Sequence, residues 1–161
     1  MTRMKFFLSP ILLAILAMPL AAQDFQAESY EFLLAKLAAD DGRFDEALSR
    51  MDKVLDKSPG NPVVVFERAM ILLDAGRIDR AETELRRLAE SHPEFTDAHR
   101  ILGRVLLEGS RADRARMEEA LRYLQTAFKA NPDDLSTGVT VSQLLVALNR
   151  VAEAERVLAG P

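Results

Sequence analysis

GRFDEALSRMDKVLDKSPGN (residues 42–61) and GRIDRAETELRRLAESHPEF (residues 76–95) are two copies of one pattern. Gly42 and Gly76 stand 34 residues apart, as do Ala47 and Ala81, and Pro59 and Pro93. The pattern continues more loosely in RMEEALRYLQTAFKANPDD from Arg116 and in NRVAEAERVLAGP from Asn149. Several coincidences at one period, with matching apolar positions between them, mark an internal repeat. Apolar residues recur at helical spacing, as in Leu34, Leu37 and Ala38 or Leu85, Leu88 and Ala89, and no strand-like alternation of useful length is present.

Working outward, each unit divides into two helices. The spacing predicts first helices over about 28–41, 62–75, 96–109 and 135–148, and second helices over about 44–57, 78–91, 116–130 and 151–159. Gly42 and Gly76 suit the left-handed backbone that ends a helix. Pro59, Pro93 and Pro132 stop the second helices, and Asn61 before Pro62 is a helix start. A helix of this length is only ~21 Å long and marginal alone, so the units must stack to bury their apolar faces. Ala47, Ala81, Ala120 and Ala154 recur at one place, where a small side chain lets helix backbones approach.

The first residues read differently. Arg3 and Lys5 precede an uncharged apolar stretch from Phe6 to Leu20, and Ala21 and Ala22 precede Gln23 and Asp24. That is the three-part layout of a secretory signal peptide. The rival reading is a retained membrane anchor, but the apolar stretch is shorter than the ~20 residues a spanning helix needs and carries Pro19 near its end. The expectation is a signal over residues 1–22 and a mature helical domain over 23–161. The product would be exported, with the periplasm as destination and secretion as the alternative, and without membrane contact once cleaved.

Composition excludes several functions. The chain has no Cys, so a disulfide framework and thiolate metal sites are ruled out. Acidic residues outnumber basic ones, 25 to 21, and removing Arg3 and Lys5 widens the difference. A surface of that sign suits neither nucleic acid nor anionic lipid. His92 and His99 are seven apart across Pro93, which is not a ligand spacing on one helix. The carboxylate pairs Asp40–Asp41, Glu118–Glu119 and Asp133–Asp134 fall at helix ends or turns. No nucleophile, base and orienting group come together in the sequence. The expectation is a protein that is not an enzyme and carries no metal and no cofactor.

The 34-residue period resembles the tetratricopeptide repeat family. The matching residues are the small residue of the first helix (Ala35, Ala69, Gly103), the turn glycine, the alanine of the second helix and the closing proline. Two features depart from that pattern: the aromatic early in the first helix is replaced by Glu31, Val65 and His99, and Arg68 takes a place more often held by Leu. The resemblance implies an all-α fold, a right-handed superhelix of antiparallel helix pairs. Its units are 28–61, 62–95, 96–134 and a partial fourth over 135–161. It also implies that the first helices line a concave groove bearing Phe32 and Lys36, then Phe66, Met70 and Leu73, then Arg100 and Arg104, then Val139 and Gln143. Arg100 and Arg104 lie on one helix face, so the expected ligand is a peptide or helix with apolar anchors and one or two carboxylates. A register shifted by one position would instead make Phe32, Phe66 and Met70 core. The subset of the family that grips chaperone tails uses Lys and Asn at set places. Here those places hold Phe32, Lys36, Glu67, Asp97 and Ile101, so that function is not implied.

Two irregularities remain. Pro93 and Pro132 are 39 apart, and the five extra residues fall within GSRADRAR, Gly109–Arg116. They read either as a basic loop for an acidic partner or as an extended turn with solvated arginines. The fourth unit breaks off at Pro161 without a capping helix, which leaves an end for self-association or for a partner. The expected function is a protein–protein interaction scaffold of the cell envelope. The alternative is the N-terminal module of a larger exported protein, an enzyme or an outer-membrane barrel.

Overall fold

The computed structural model describes residues 20–109 and 113–159, with side chains from residue 28 onward. Eight helices follow one another: α1 (Leu20–Asp40), α2 (Phe44–Lys57), α3 (Pro62–Asp74), α4 (Ile78–Ser91), α5 (Thr96–Glu108), α6 (Arg114–Ala130), α7 (Leu135–Ala147) and α8 (Val151–Ala159). No strand occurs among the described residues. Neighbours in sequence are neighbours in space: α1/α2, α3/α4, α5/α6 and α7/α8 form four hairpins, and α2·α3, α4·α5 and α6·α7 join them in series. Each hairpin touches only its neighbours in any quantity, which is the arrangement of a solenoid.

The helix ends follow the expected chemistry. Asn61 accepts the N–H of Val63 at 3.1 Å, and Pro62 opens α3. At the α1–α2 turn, Gly42 has φ 75°. The N–H of Arg43 reaches back to the carbonyl of Ala38 at 2.8 Å, and that of Gly42 to Ala39 at 2.9 Å. The same two bonds recur from Arg77 and Gly76, and from Arg150 and Asn149. Asn149 adopts φ 62°, so a side-chain amide residue fills the left-handed place in the fourth unit.

Two boundaries differ from the sequence expectation. Helix α1 begins at Leu20, eight residues before the expected start, because LAAQDFQA carries neither Gly nor Pro. The boundary of the expected signal at Ala22 therefore lies inside α1, while residues 1–19 lie outside the described part. Helix α6 begins at Arg114, two residues early. Asp113 caps it, accepting the N–H groups of Ala115 at 2.9 Å and Arg116 at 3.2 Å. Residues 110–112 of the inserted segment, and 160–161, are outside the described part.

The small residues sit where the repeat predicts. Ala47, Ala81, Ala120 and Ala154 are all buried. Gly103 lies against Leu124, and Gly138 against Phe128. The two departures from the family pattern are also accounted for. His99 is buried, stacks on Tyr123 with ring centroids 5.7 Å apart, and Nε2 donates to the Pro93 carbonyl at 3.1 Å. It fills the aromatic's volume. Arg68 is mostly buried and bonds Asp52 at 2.8 Å and Glu84, so an ion pair between hairpins replaces an apolar contact. Burial disfavours its charge, yet the bonds to Glu84 and Asp52 outweigh that and raise the Arg68 pKa.

Ion pairs also follow the repeat. The arginine at the start of each second helix, residue 43, 77, 116 or 150, reaches back to the hairpin before it in three of four cases. Arg77 meets Asp45, Arg116 meets Glu82, and Arg150 meets Glu118 at 3.2 Å. Arg86 bonds Glu119 of the following hairpin at 3.0 Å and Glu82 of its own helix at 3.0 Å. The inserted segment therefore places Arg116 as a tie between α6 and α4, and its Nε also reaches the Leu106 carbonyl at 3.4 Å. Arg114 meets Glu118 at 3.6 Å. The extended-turn reading and the basic-loop reading are both modified: the two described arginines of this segment serve the stack.

Candidate peptide-binding groove

The expected groove residues come from the first helices of the four hairpins, α1, α3, α5 and α7. Met70 and Leu73 of α3 and Arg104 of α5 converge. With Ile78, Ile101 and Val105 they line an open cavity of about 500 Å³ between the second and third hairpins. Its polar edge is Asp74, Glu108 and Arg104. Among the described residues Arg104 has no ion pair, and its side chain is exposed. The cavity is within the size range of ligand sites, and its mostly apolar wall with a few polar groups fits that class.

The other expected residues do not join it. Phe32 lines a second cavity of about 360 Å³ with Val54, Val63 and Val64. Lys36 is held by Glu67 of the next hairpin at 2.5 Å. Phe66 packs on Phe95, ring centroids 5.4 Å apart and tilted by 55°, and belongs to the core as much as to the groove. Arg100 bonds Asp97 at 2.7 Å and faces Asp134, so it does not form a free cationic pair with Arg104. Val139 and Gln143 line a third cavity of about 330 Å³ with Ser142, Val146 and Leu158.

Sequence reasoning missed Asp74, Glu108, Ile78, Ile101 and Val105. A signal existed for the acids. Asp40, Asp74 and Glu108 are each 34 apart, so one place near the end of three first helices carries a carboxylate. No group of three His, Asp or Glu side chains gathers as a metal site among the described residues. No described helix is long and apolar enough to cross a membrane.

Known proteins carry the same design. The sequence pattern of the tetratricopeptide repeat matches residues 38–105. Crystal structures of MamA superpose with a TM-score of 0.69 at 17% identity, covering 82% of this chain and 69% of that one. This is a tetratricopeptide repeat protein. A thermophilic tetratricopeptide repeat protein of Thermus thermophilus superposes at 0.62 with 23% identity, over 83% of this chain and 72% of its own. The first tetratricopeptide repeat domain of Spaghetti (RPAP3), solved with the HSP90 peptide SRMEEVD, superposes at 0.63 with 20% identity, over 77% and 94%. At these identities the likeness carries the fold. No curated protein matches the sequence significantly. The repeats of this family serve as interaction scaffolds, and that is the general role of the chain.

Proposed function

We propose that the protein is a non-catalytic scaffold of the cell envelope, exported by its N-terminal signal, that captures a partner peptide or helix in the concave groove. The observation that carries the reading is the cavity between α3 and α5, where Met70, Leu73 and Ile101 form an apolar floor beside the unpaired Arg104. The ligand chemistry that fits is one apolar side chain next to one carboxylate. Arg100 is occupied by Asp97, and Asp74 and Glu108 repel a second carboxylate. Support for a peptide as partner class comes from the similar Spaghetti (RPAP3) domain, which was solved with a peptide bound. That peptide is not itself proposed for this chain, because the Lys and Asn pattern expected for such tails is absent. Export rests on Arg3, Lys5, the apolar stretch and the small residues before Gln23.

The test is crosslinking in the native envelope through a photoreactive group at position 104, followed by mass spectrometry. A single dominant partner, lost in a folded Met70→Asp or Arg104→Glu variant, is the expected result. Unchanged capture by both folded variants rejects the groove. N-terminal sequencing that finds a start near Gln23 supports export with cleavage; an intact Met1 rejects it.

A further inference from the structure

We propose that the protein also binds a second copy of itself head to tail, the outer face of α1 docking on α8 of the next chain. The inference goes beyond the groove and uses different residues.

Inside the array every first helix rests on the second helix of the hairpin before it: α3 on α2, α5 on α4, α7 on α6. Two places about two helical turns apart carry each contact. They are Val64 and Ile71 in α3, Ala98 and Val105 in α5, and Thr137 and Leu144 in α7, all buried. The same places in α1 are Tyr30 and Leu37. They are 61% and 53% exposed, and Leu33 between them is equally open. A repeat-forming face is thus present on α1 with no described helix against it.

The complementary face lies at the other end. Met51, Leu85 and Leu124 occupy one place in α2, α4 and α6 and are fully buried. Their counterpart in α8 is Leu158, which is 67% exposed and borders the cavity with Val139 and Val146. Stacking α1 of one chain on α8 of another would bury Tyr30, Leu33 and Leu37 against Leu158 and this cavity, as the internal junctions do.

Charge agrees with the apolar match. Arg77, Arg116 and Arg150 each reach an acid of the preceding hairpin, whereas Arg43 pairs only within its own, with Asp41 at 2.8 Å and Glu46. Glu82, which receives Arg116, has its counterpart in Glu155 of α8, an exposed carboxylate without an ion pair among the described residues. Arg43 of one copy and Glu155 of the next would therefore repeat the Arg116–Glu82 tie. The contact is heterologous, since the two faces differ, so it leaves a free face at each end and permits further growth.

Sedimentation velocity on the full chain, in the form in which cells leave it, tests this. The expected result is a mass that rises with concentration. Leu37→Lys and Leu158→Lys, both at exposed sites, should melt like the wild type and each remain monomeric. Mixed, they should form a heterodimer and nothing longer, because each keeps one intact face. Arg43→Glu should weaken association roughly fivefold, and Glu155→Arg in the same chain should restore it. A wild type that stays monomeric at every concentration overturns the proposal, whether α1 is bare or covered by residues 1–19. So does association that survives both lysine substitutions, or a mixture that fails to pair.

Discussion

Gly103 of α5 and Leu124 of α6 approach so closely that a Cβ at residue 103 would stand 2.6 Å from Leu124 Cγ and 3.2 Å from the Ala120 carbonyl oxygen. In an open helix, Gly→Ala gains about 1 kcal/mol. Here the added methyl overpacks a hairpin contact, at about 1–3 kcal/mol. Gly103→Ala is expected to lower the urea midpoint. A raised midpoint would mean that Leu124 moves aside at little cost. Ala81→Phe tests the neighbouring hairpin in the same way, and an unchanged thermal midpoint there would contradict the register.

Asn149 stands at φ 62° where Gly42 and Gly76 stand at 75° and 71°. Left-handed backbone costs a residue with Cβ roughly 1–2 kcal/mol, less for Asn. Stability at position 76 should fall in the order Gly, Asn, Ala. Guanidinium denaturation of Gly76→Asn and Gly76→Ala measures it, and Ala equal to Asn would deny the amide any local advantage.

Glu82 accepts from Arg86 and Arg116, with only 13% of its side chain exposed. Hydrogen bonds to charged groups at such sites contribute about 1.5–3 kcal/mol. Glu82→Gln should therefore destabilise measurably. Asp41→Asn at the half-exposed Arg43 pair should change stability by less than about 0.5 kcal/mol. A thermal comparison of the two variants that finds equal losses would remove the special standing of the ties between hairpins.

Asp134 caps α7, and its pKa is lowered, first by the Thr137 hydroxyl at 2.7 Å and then by the Thr137 N–H at 3.1 Å. A carboxylate held below its ordinary value of 3.8 contributes stability above that value. The contribution is lost as pH falls through the lowered one. Asp134→Ala should cost about 1 kcal/mol at neutral pH. Melting curves of wild type and variant should converge below about pH 3. A gap that persists in acid would show that the cap acts without its charge.

The sequence alone determined the hairpins. Helical periodicity, left-handed turn residues and stopping prolines are local signals, and they placed seven of the eight helices within two residues at each end. The exception was the start of α1, where the layout of a signal drew the boundary through residues that favour helix throughout. The repeat also marked the buried alanines, because an identical environment recurs every 34 residues.

Only the tertiary structure decided which charges remain free and which apolar faces remain open. Lys36 and Arg100 were equal candidates with Arg104 in the sequence, yet Glu67 and Asp97 hold the first two and Arg104 stands alone in the cavity. Tyr30 and Leu37 look like Val64 and Ile71 in one-dimensional register, but only the three-dimensional stack leaves the first pair uncovered. The physical reason is range. A helix is specified by neighbours three and four residues away, whereas an ion pair or a buried face depends on groups a whole repeat apart that meet only when the hairpins stack.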